Sequence, residues 1–124
     1  MQIDVNNLSF SYKKKLPLVL DGVSLTLKSG ELSVLIGKNG CGKTTLSKLI
    51  LGLLSPRTGS VLFDGEDAKK MSVGKRANRI GYLFQNPDLQ LFAPTVFEEL
   101  AFPFEIEKLL DNGKIEKINS VIKE

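Results

Sequence analysis

The chain has 124 residues, 42% of them hydrophobic and 25% charged, which suits one globular domain or part of one. It contains no histidine and a single cysteine, Cys41, which argues against a His-based hydrolase triad, a histidine zinc site and an internal disulfide. The net charge of +3 is too small to indicate nucleic acid, no apolar run approaches the ~20 residues that cross a bilayer, and no signal peptide is evident, so we expect a cytoplasmic location.

Strand patterns dominate the first third of the chain. Apolar residues alternate with polar ones over residues 3–5 and 23–27, which is the period of half-buried strands. The apolar run from Leu32 to Ile36 predicts a buried strand that ends at Gly37.

One amphipathic helix is predicted after the glycine-rich segment that follows. Five apolar residues have the spacing that gives a helix one apolar face: Leu46, Leu49, Ile50, Leu53 and Leu54. We expect Ser55-Pro56 to end this helix, because the residue before a proline disfavours helical dihedral angles. A short strand over residues 61–63 and the turn Asp64-Gly65 are predicted next.

The rest of the chain is predicted to hold one more strand and two helices. The strand covers Ile80 to Phe84, and Tyr82 is expected to pack on one face of it. Residues 95–98 match a capping box for a helix that Pro103 limits. Apolar residues between 115 and 122 predict a final amphipathic helix.

The strongest chemical signal is the phosphate-binding pattern GxxxxGK[ST], placed between a predicted strand and a predicted helix. It comprises Gly37, Lys38, Asn39, Gly40, Cys41, Gly42, Lys43 and Thr44. The glycines let the backbone adopt positive φ and approach phosphates, so that amide N–H groups and the positive helix terminus face anionic oxygens. We expect Lys43 to reach the β and γ phosphates and Thr44 to offer its hydroxyl to the bridging Mg²⁺.

Two other features of the sequence have alternative interpretations. Cys41 lies close to a helix terminus, where a thiolate is favoured, but it also suits the role of a small filler. The basic run Lys13-Lys14-Lys15 is either a solvated loop or a surface that faces a phosphate or an acidic partner.

Outside the phosphate loop, the sequence resembles the ABC family of transport ATPases. Residues 20–32, LDGVSLTLKSGEL, resemble that family's lead-in to its phosphate strand, and residues 58–65, TGSVLFDG, resemble the hairpin after it. Residues 80–85, IGYLFQ, resemble the strand that enters the family's Q-loop. The Q-loop glutamine touches Mg²⁺ and the catalytic water and couples the site to the membrane subunits, and the resemblance gives this role to Gln85.

A second part of the resemblance concerns an aromatic residue. Tyr12 matches the residue that stacks on adenine in this family, a contact of ~1–3 kcal/mol by analogy with base stacking on protein aromatics. The alternative is that Tyr12 is a core strand residue. Stacking is favoured because Phe10 supplies an apolar residue in the same run and tyrosine tolerates a wet edge.

Within the family, residues 84–96, FQNPDLQLFAPTV, resemble the cobalt-type and energy-coupling-factor ATPases, which drive vitamin or metal-ion importers. The sequence Ala101-Phe102-Pro103-Phe104 departs from the usual Gly-Pro form, which leaves the subgroup open. The family's signature motif, Walker B carboxylates and switch histidine do not occur in this sequence. Asp64 follows a short apolar run like that of Walker B, but it precedes the Q-loop and suits a hairpin turn.

The resemblance implies an α/β P-loop NTPase fold, the N-terminal part of an ABC ATPase domain, with an antiparallel β subdomain, part of a parallel core sheet, and helices. Residues 1–85 would form the nucleotide-binding part, and residues 86–124 the Q-loop and the start of a helical subdomain. ATP and Mg²⁺ would bind through Tyr12, the loop from Gly37 to Thr45, and Gln85. Lys43 and Gln85 would act in catalysis, and Thr44 and Gln85 would contact the metal.

The implied partners are transmembrane transporter subunits, contacted through the Q-loop and helical region at the inner face of the membrane, and a second ATPase subunit in a homo- or heterodimer. We interpret the chain as a truncation that is inactive alone and leaves sheet edges unpaired and an apolar face exposed. Two alternatives remain. A small P-loop kinase would need clustered arginines, which Arg57, Arg76 and Arg79 do not provide, and a non-catalytic interaction fragment would have an empty phosphate loop.

Overall fold

The computed structural model describes residues 1–86, 88, 90–106 and 108–123. It divides into two compact units, Met1–Gly81 and Tyr82–Glu124. Within the described ranges, no helix combines the length and the apolar character that crossing a membrane requires.

The first unit is built on a four-stranded antiparallel sheet. Its strands are β1 (Gln2–Phe10), β2 (Leu20–Lys28), β3 (Thr58–Phe63) and β4 (Glu66–Asp67), in the spatial order β2-β1-β3-β4. Val5 pairs with Leu25 on one side and with Val61 on the other. Such pairs bring apolar side chains of neighbouring strands onto the same face. The strands predicted over residues 3–5, 23–27 and 61–63 are therefore confirmed.

Helix α1 (Lys43–Leu51) completes the core of this unit. Its buried residues Leu46, Leu49 and Ile50 belong to one apolar cluster with side chains of the sheet. The strand members of that cluster are Ile3, Val5, Leu8, Phe10, Leu20, Val61 and Phe63. A helix of nine residues is too short to be stable by itself in water, so this packing holds it in place.

The C-terminal end of α1 lies earlier than the sequence predicts. Gly52 follows the helix with a φ of 82°, and the amides of Gly52 and Leu53 donate to the carbonyls of Leu49 and Lys48. These bonds satisfy the last carbonyls of the helix before Ser55 is reached. The prediction that Ser55-Pro56 ends α1 is therefore wrong, and Leu53 is exposed.

Two predicted strands do not form in the part of the chain that the structure describes. Residues 32–36 and 80–84 have no regular secondary structure, and Leu32 is 93% and Ile36 89% exposed. A strand needs hydrogen bonds to a neighbouring strand, and the four paired strands include neither segment. The predictions of a buried strand over Leu32 to Ile36 and of a strand over Ile80 to Phe84 are wrong for this reason. The parallel core sheet expected from these segments is not formed by the described residues.

The lysine-rich stretch after β4 forms a 3₁₀ turn (Ala68–Lys70) and helix α2 (Val73–Ala77). Arg76 of α2 reaches back to the C-terminal end of α1, where its guanidinium donates to the carbonyl of Ile50 at 3.4 Å and also to that of Ala68. Partial burial lowers the pKa of Arg76. A cation at this helix terminus is favoured by the negative end of the helix dipole.

Helices α3 (Val96–Ile106) and α4 (Asn112–Lys123) make up most of the second unit and pack on each other. The hydroxyl half of the predicted capping box is confirmed, since the Glu98 amide donates to Thr95 Oγ1 at 3.2 Å. The Glu98 carboxylate accepts from the Thr95 hydroxyl at 2.8 Å instead of from an amide. At the start of α4, Asp111 Oδ1 accepts a hydrogen bond from the Lys114 amide at 2.9 Å. This bond lowers the pKa of Asp111. The helix predicted over residues 115–122 is confirmed, with Ile118 buried.

Pro103 lies inside α3 instead of limiting it. A proline inside a helix removes one backbone hydrogen bond, and its ring crowds the carbonyl of the residue four positions earlier. Packing next to the proline opposes that loss, because Ala101 is fully buried and Phe102 meets Phe92 edge-to-face at 4.5 Å. The prediction that Pro103 limits the helix is therefore wrong, and α3 continues to Ile106.

Candidate nucleotide-binding site

The loop from Gly37 to Gly42 leads directly into α1 and lies on the surface. Gly42 is the N-cap residue of α1, and no side chain caps the helix there. The first amides of a helix have no carbonyl partner within it, and the helix dipole makes this end positive. The N-terminus of α1 therefore offers amides that have no carbonyl partner within the helix together with a positive helix end, which is the arrangement that binds anions.

Lys43, the first residue of α1, folds back across this loop. Its Nζ donates to the carbonyl oxygens of Gly37 at 2.6 Å and Lys38 at 2.9 Å, and lies 3.8 Å from Cys41 Sγ. The ammonium group is thus held inside the curve of the loop. An anion bound to the loop amides would meet this charge directly, and charge-assisted hydrogen bonds to it would be strong.

Gly42 leaves no room for a side chain, and a side chain at Gly37 would displace Cys41. At Gly42, where φ is 98°, a Cβ atom would lie 2.8 Å from Leu20 Cδ2 and 3.1 Å from the Val19 carbonyl oxygen. At Gly37 a Cβ atom would lie 2.6 Å from Cys41 Sγ. The expectation of a positive φ is confirmed at Gly40 and Gly42, where φ is 82° and 98°, whereas Gly37 has no positive φ. The close contact at Gly37 is with the exposed side chain of Cys41, which can turn away.

Tyr12 lies beside the first turn of α1. Its hydroxyl is 2.9 Å from Thr45 Oγ1, and its ring meets Phe10 edge-to-face with a centroid distance of 5.0 Å. Tyr12 is 58% exposed and lies beyond the end of β1 at Phe10, so it is not a core strand residue. The structure therefore places an open aromatic surface next to the phosphate-binding pattern.

The remaining residues of the pattern are open to solvent. Lys38, Asn39, Gly40, Cys41 and Thr44 are exposed. Their amides and side chains are accessible to a ligand in solution. Thr44 offers a hydroxyl at the first turn of α1, while the next residue, Thr45, is buried.

Gln85 belongs to the second unit and is exposed. The neighbouring residue Phe84 is fixed by Gln90, whose Oε1 accepts from the Phe84 amide at 3.1 Å. Tyr82 packs edge-to-face on Phe84 at 4.9 Å, as expected of its packing role, although no strand is formed. The role of Gln85 toward a nucleotide or a metal stays a prediction.

The described residues contain no preformed metal site built from several side-chain ligands. Over residues 1–86, 88, 90–106 and 108–123, no group of three or more His, Cys, Asp or Glu side chains could hold a metal ion. Magnesium that enters with a nucleotide needs few protein ligands, because phosphate oxygens and water supply the others. The exposed Thr44 hydroxyl suits such a site.

Sequence reasoning missed several side chains that shape these segments. The contact between Tyr12 and Thr45 joins residues 33 positions apart, and no periodicity reports a pairing of that kind. Glu99 Oε2 accepts from the amides of Phe92 at 3.1 Å and Ala93 at 2.9 Å. Its place in the first turn of α3 was the available signal, since acidic residues favour that position.

The pattern GxxxxGK[ST] over residues 37–44, which leads directly into the N-terminus of α1, places the chain in the class of P-loop proteins. The profile of the ABC transporter family matches residues 20–123. The chain therefore belongs to the ABC transporter family. The α/β P-loop fold class and the family resemblance of the sequence are both confirmed.

Three related proteins show this similarity in more detail. The chain is 37% identical over 116 residues to the energy-coupling factor transporter ATP-binding protein EcfA1 of Mycoplasma mobile, covering 94% of this chain and 42% of that protein. It is 46% identical over 101 residues to the cobalt import ATP-binding protein CbiO of Syntrophus aciditrophicus, covering 81% and 36%. The structure of cbiO1 from Clostridium perfringens, part of the ABC transporter complex cbiONQ, matches with a TM-score of 0.77 and 32% identity, covering 93% of this chain and 46% of that one.

The chain thus spans less than half the length of each of these proteins. It spans 21% of the length of a 34% identical relative from Enterococcus faecalis. The family assignment covers residues 20–123 of this chain and concerns its family, not the activity of a longer protein.

Proposed function

We propose that the chain binds Mg-ATP through the loop from Gly37 to Thr45 and through Tyr12, as part of the ATP-binding subunit of an importer. The observation that carries this proposal is the position of Lys43. Its ammonium group lies 2.6 and 2.9 Å from two loop carbonyls, at the uncapped N-terminus of α1. A triphosphate on the loop would replace those carbonyls as the partner of the ammonium.

The other residues have separate roles in this proposal. Thr44 offers its hydroxyl to Mg²⁺, and the exposed Tyr12 ring stacks on the adenine. Gln85 orients the attacking water and contacts the metal, and it couples the site to membrane partners. Lys43 also stabilises charge on the transferred phosphoryl group in the hydrolysis step.

The test of nucleotide binding is the variant Lys43→Ala, titrated with Mg-ATP by calorimetry. We expect a loss of affinity of roughly 10- to 100-fold, since a charged hydrogen-bond partner of the phosphates is removed. Lys48→Ala is the matched control, because it removes the same charge from the other end of α1. Equal ATP affinity in Lys43→Ala and the unsubstituted chain, both folded by circular dichroism, would contradict the proposal.

We propose further that the whole protein energises uptake of a vitamin or metal ion. Support comes from the similarity to EcfA1, to CbiO and to cbiO1, which is part of a transporter complex. The proposed partners of the protein are transmembrane subunits, contacted through Gln85 and the helical unit, and a second ATPase subunit, at the inner face of the membrane.

In the assembled transporter, Gln85→Ala should keep ATP affinity and lose ATP turnover and uptake. Unchanged turnover would exclude the role of Gln85.

A further inference from the structure

The three lysines after Tyr12 form a turn at the surface of the first unit. The Leu16 amide donates to the Lys13 carbonyl at 3.0 Å, which places Lys14 and Lys15 at the tip of a β-turn. All three lysines are exposed. We call residues 13–16 the basic turn.

Two side chains hold the basic turn in place. The Lys13 carbonyl also accepts from Ser11 Oγ at 2.9 Å and from Arg57 Nη2 at 2.6 Å. Ser11 is buried, and the Arg57 amide donates to the Ser9 carbonyl at 2.9 Å, so both donors start from fixed points of the first unit. The basic turn is therefore fastened to this unit and is not a free loop.

The segment that contains the basic turn contacts the start of α1 on both sides of the turn. Before the turn, the Tyr12 hydroxyl lies 2.9 Å from Thr45 Oγ1. After it, the Val19 carbonyl oxygen lies so close to Gly42 that a Cβ atom there would be 3.1 Å away. Consecutive Cα atoms are about 3.8 Å apart, so those of the three lysines lie within about 12 Å of the Tyr12 Cα atom. At low ionic strength charges act over such distances.

The charges of the basic turn are not neutralised by the described residues. Two ion pairs occur in that part of the chain, and neither includes Arg57 or a lysine of the turn. Residues 11–18 contain no acidic residue. The net charge of the chain is +3, so without these three lysines it would have none. Like charges repel, and gathering these cations costs free energy that an anion nearby would recover.

We propose that the basic turn is an electrostatic guide for polyphosphate: its lysines attract the anionic ligand toward the phosphate loop and raise the rate of association. The inference deepens the proposed function and rests on it, since it names what brings Mg-ATP to the site. A guide of this kind acts before contact. Its effect depends on the charge of the ligand and on ionic strength, and does not require the adenine.

The test compares two triple variants that lose the same charge. The first replaces each lysine of the basic turn by glutamine. The control replaces three lysines of the 3₁₀ turn and α2, which Arg76 joins to the C-terminal end of α1. These control positions are equally exposed: Lys69, Lys70 and Lys75.

Stopped-flow mixing with a fluorescent ATP analogue and Mg²⁺ gives the association and dissociation rates. In about 0.01 M salt, the first variant should associate about 3- to 10-fold more slowly than the control. In about 1 M salt the two should associate equally fast, because the Debye length falls to about 3 Å. The dissociation rates of the two variants should differ by less than about twofold, since a rim charge acts mainly on association.

Two further measurements separate charge from other effects. Inorganic tripolyphosphate, measured by competition, should show the same slowing as the nucleotide because it has the charge without the base. Lys14→Gln alone, at the tip of the turn, should give a smaller slowing with the same salt dependence. This single variant tests the proposal even where the triple variant does not fold.

Three results would overturn the proposal and leave the proposed function intact. The first is equal association of the first variant and the control at low salt. The second is a slowing that persists in about 1 M salt, which would mean that the lysines act by contact. The third is an unchanged rate for ATP together with lost binding to vesicles of anionic lipid, which would direct the turn to a membrane. If the unsubstituted chain binds no nucleotide at either salt concentration, the proposed function fails and this inference with it.

Discussion

At the residue scale, the proposed stacking of adenine on the exposed Tyr12 predicts that its loss affects ATP and not tripolyphosphate. Tyr12→Ala removes the whole ring, so ATP affinity should fall roughly 5- to 100-fold, the equivalent of one base stack. Tripolyphosphate has no base and should bind as before. Competitive titration of both ligands checks this, and equal losses for the two would contradict the stacking role.

Lys43 and Thr45 show which side-chain contacts can be predicted from sequence. The place of Lys43 at the phosphate loop was predicted because it depends on neighbours within seven positions, and the structure brings its ammonium to the Gly37 and Lys38 carbonyls. The partner of Thr45 lies 33 positions away. Such a contact depends on how β1 packs beside α1, and the local pattern carries no information about that.

At the scale of elements, the junction of β1 and β3 depends on a close backbone approach at Gly59. Its φ is 84°, and a Cβ atom there would lie 2.4 Å from the carbonyl oxygens of Asn6 and Asn7. Gly65 has the same φ of 84° with nothing within 4 Å, so it is a matched control. Gly65→Ala should cost about 1 kcal/mol of unfolding free energy, and Gly59→Ala roughly 2–4 kcal/mol.

Urea unfolding followed by circular dichroism measures both variants of this pair. The difference between them isolates the steric clash from the strain of a positive φ. Equal losses of stability would show that β1 moves away from Gly59 at no cost. We do not expect this, because β1 is paired with β3 on both sides of the junction.

The elements that sequence patterns predicted well are those with a partner close in the chain. β1 and β2 pair with each other, and β3 with β4 through the turn at Asp64-Gly65. Residues 32–36 have an equally strong apolar pattern but no neighbouring strand among the described residues, and they form none. Apolar periodicity reports which face can be buried, whereas strand formation also requires a second backbone.

At the scale of the whole molecule, we treat ATP binding and ATP hydrolysis as two activities with different requirements. In the structure, the partners of the Lys43 ammonium are carbonyl and sulfur atoms, and no carboxylate of the described residues accepts from it. The family resemblance assigns the catalytic carboxylate and the partner's signature motif to sequence not found in this chain. We therefore expect the chain alone to bind ATP with negligible hydrolysis.

Phosphate release by monodisperse protein measures that hydrolysis. Robust turnover by a stable monomer would mean that a residue within this chain serves as the catalytic base. Addition of the complementary part of an ABC ATPase domain and the membrane partner should restore turnover. Lys43→Ala in the restored assembly is the control, since it should bind ATP weakly and hydrolyse it slowly.

Residues 32–36, the exposed apolar segment before the phosphate loop, should affect how long the protein persists in a cell. Val34 is 71% exposed and lies between Leu32 and Ile36, which are more exposed still. Chaperones and proteases act on chains that present such surfaces, and they alter abundance without any change in synthesis. In this chain residues 32–36 are exposed in the folded state, so chaperones and proteases can bind them without prior unfolding. The half-life of the protein should therefore lengthen whenever another polypeptide covers residues 32–36, and pulse-chase labelling would show it.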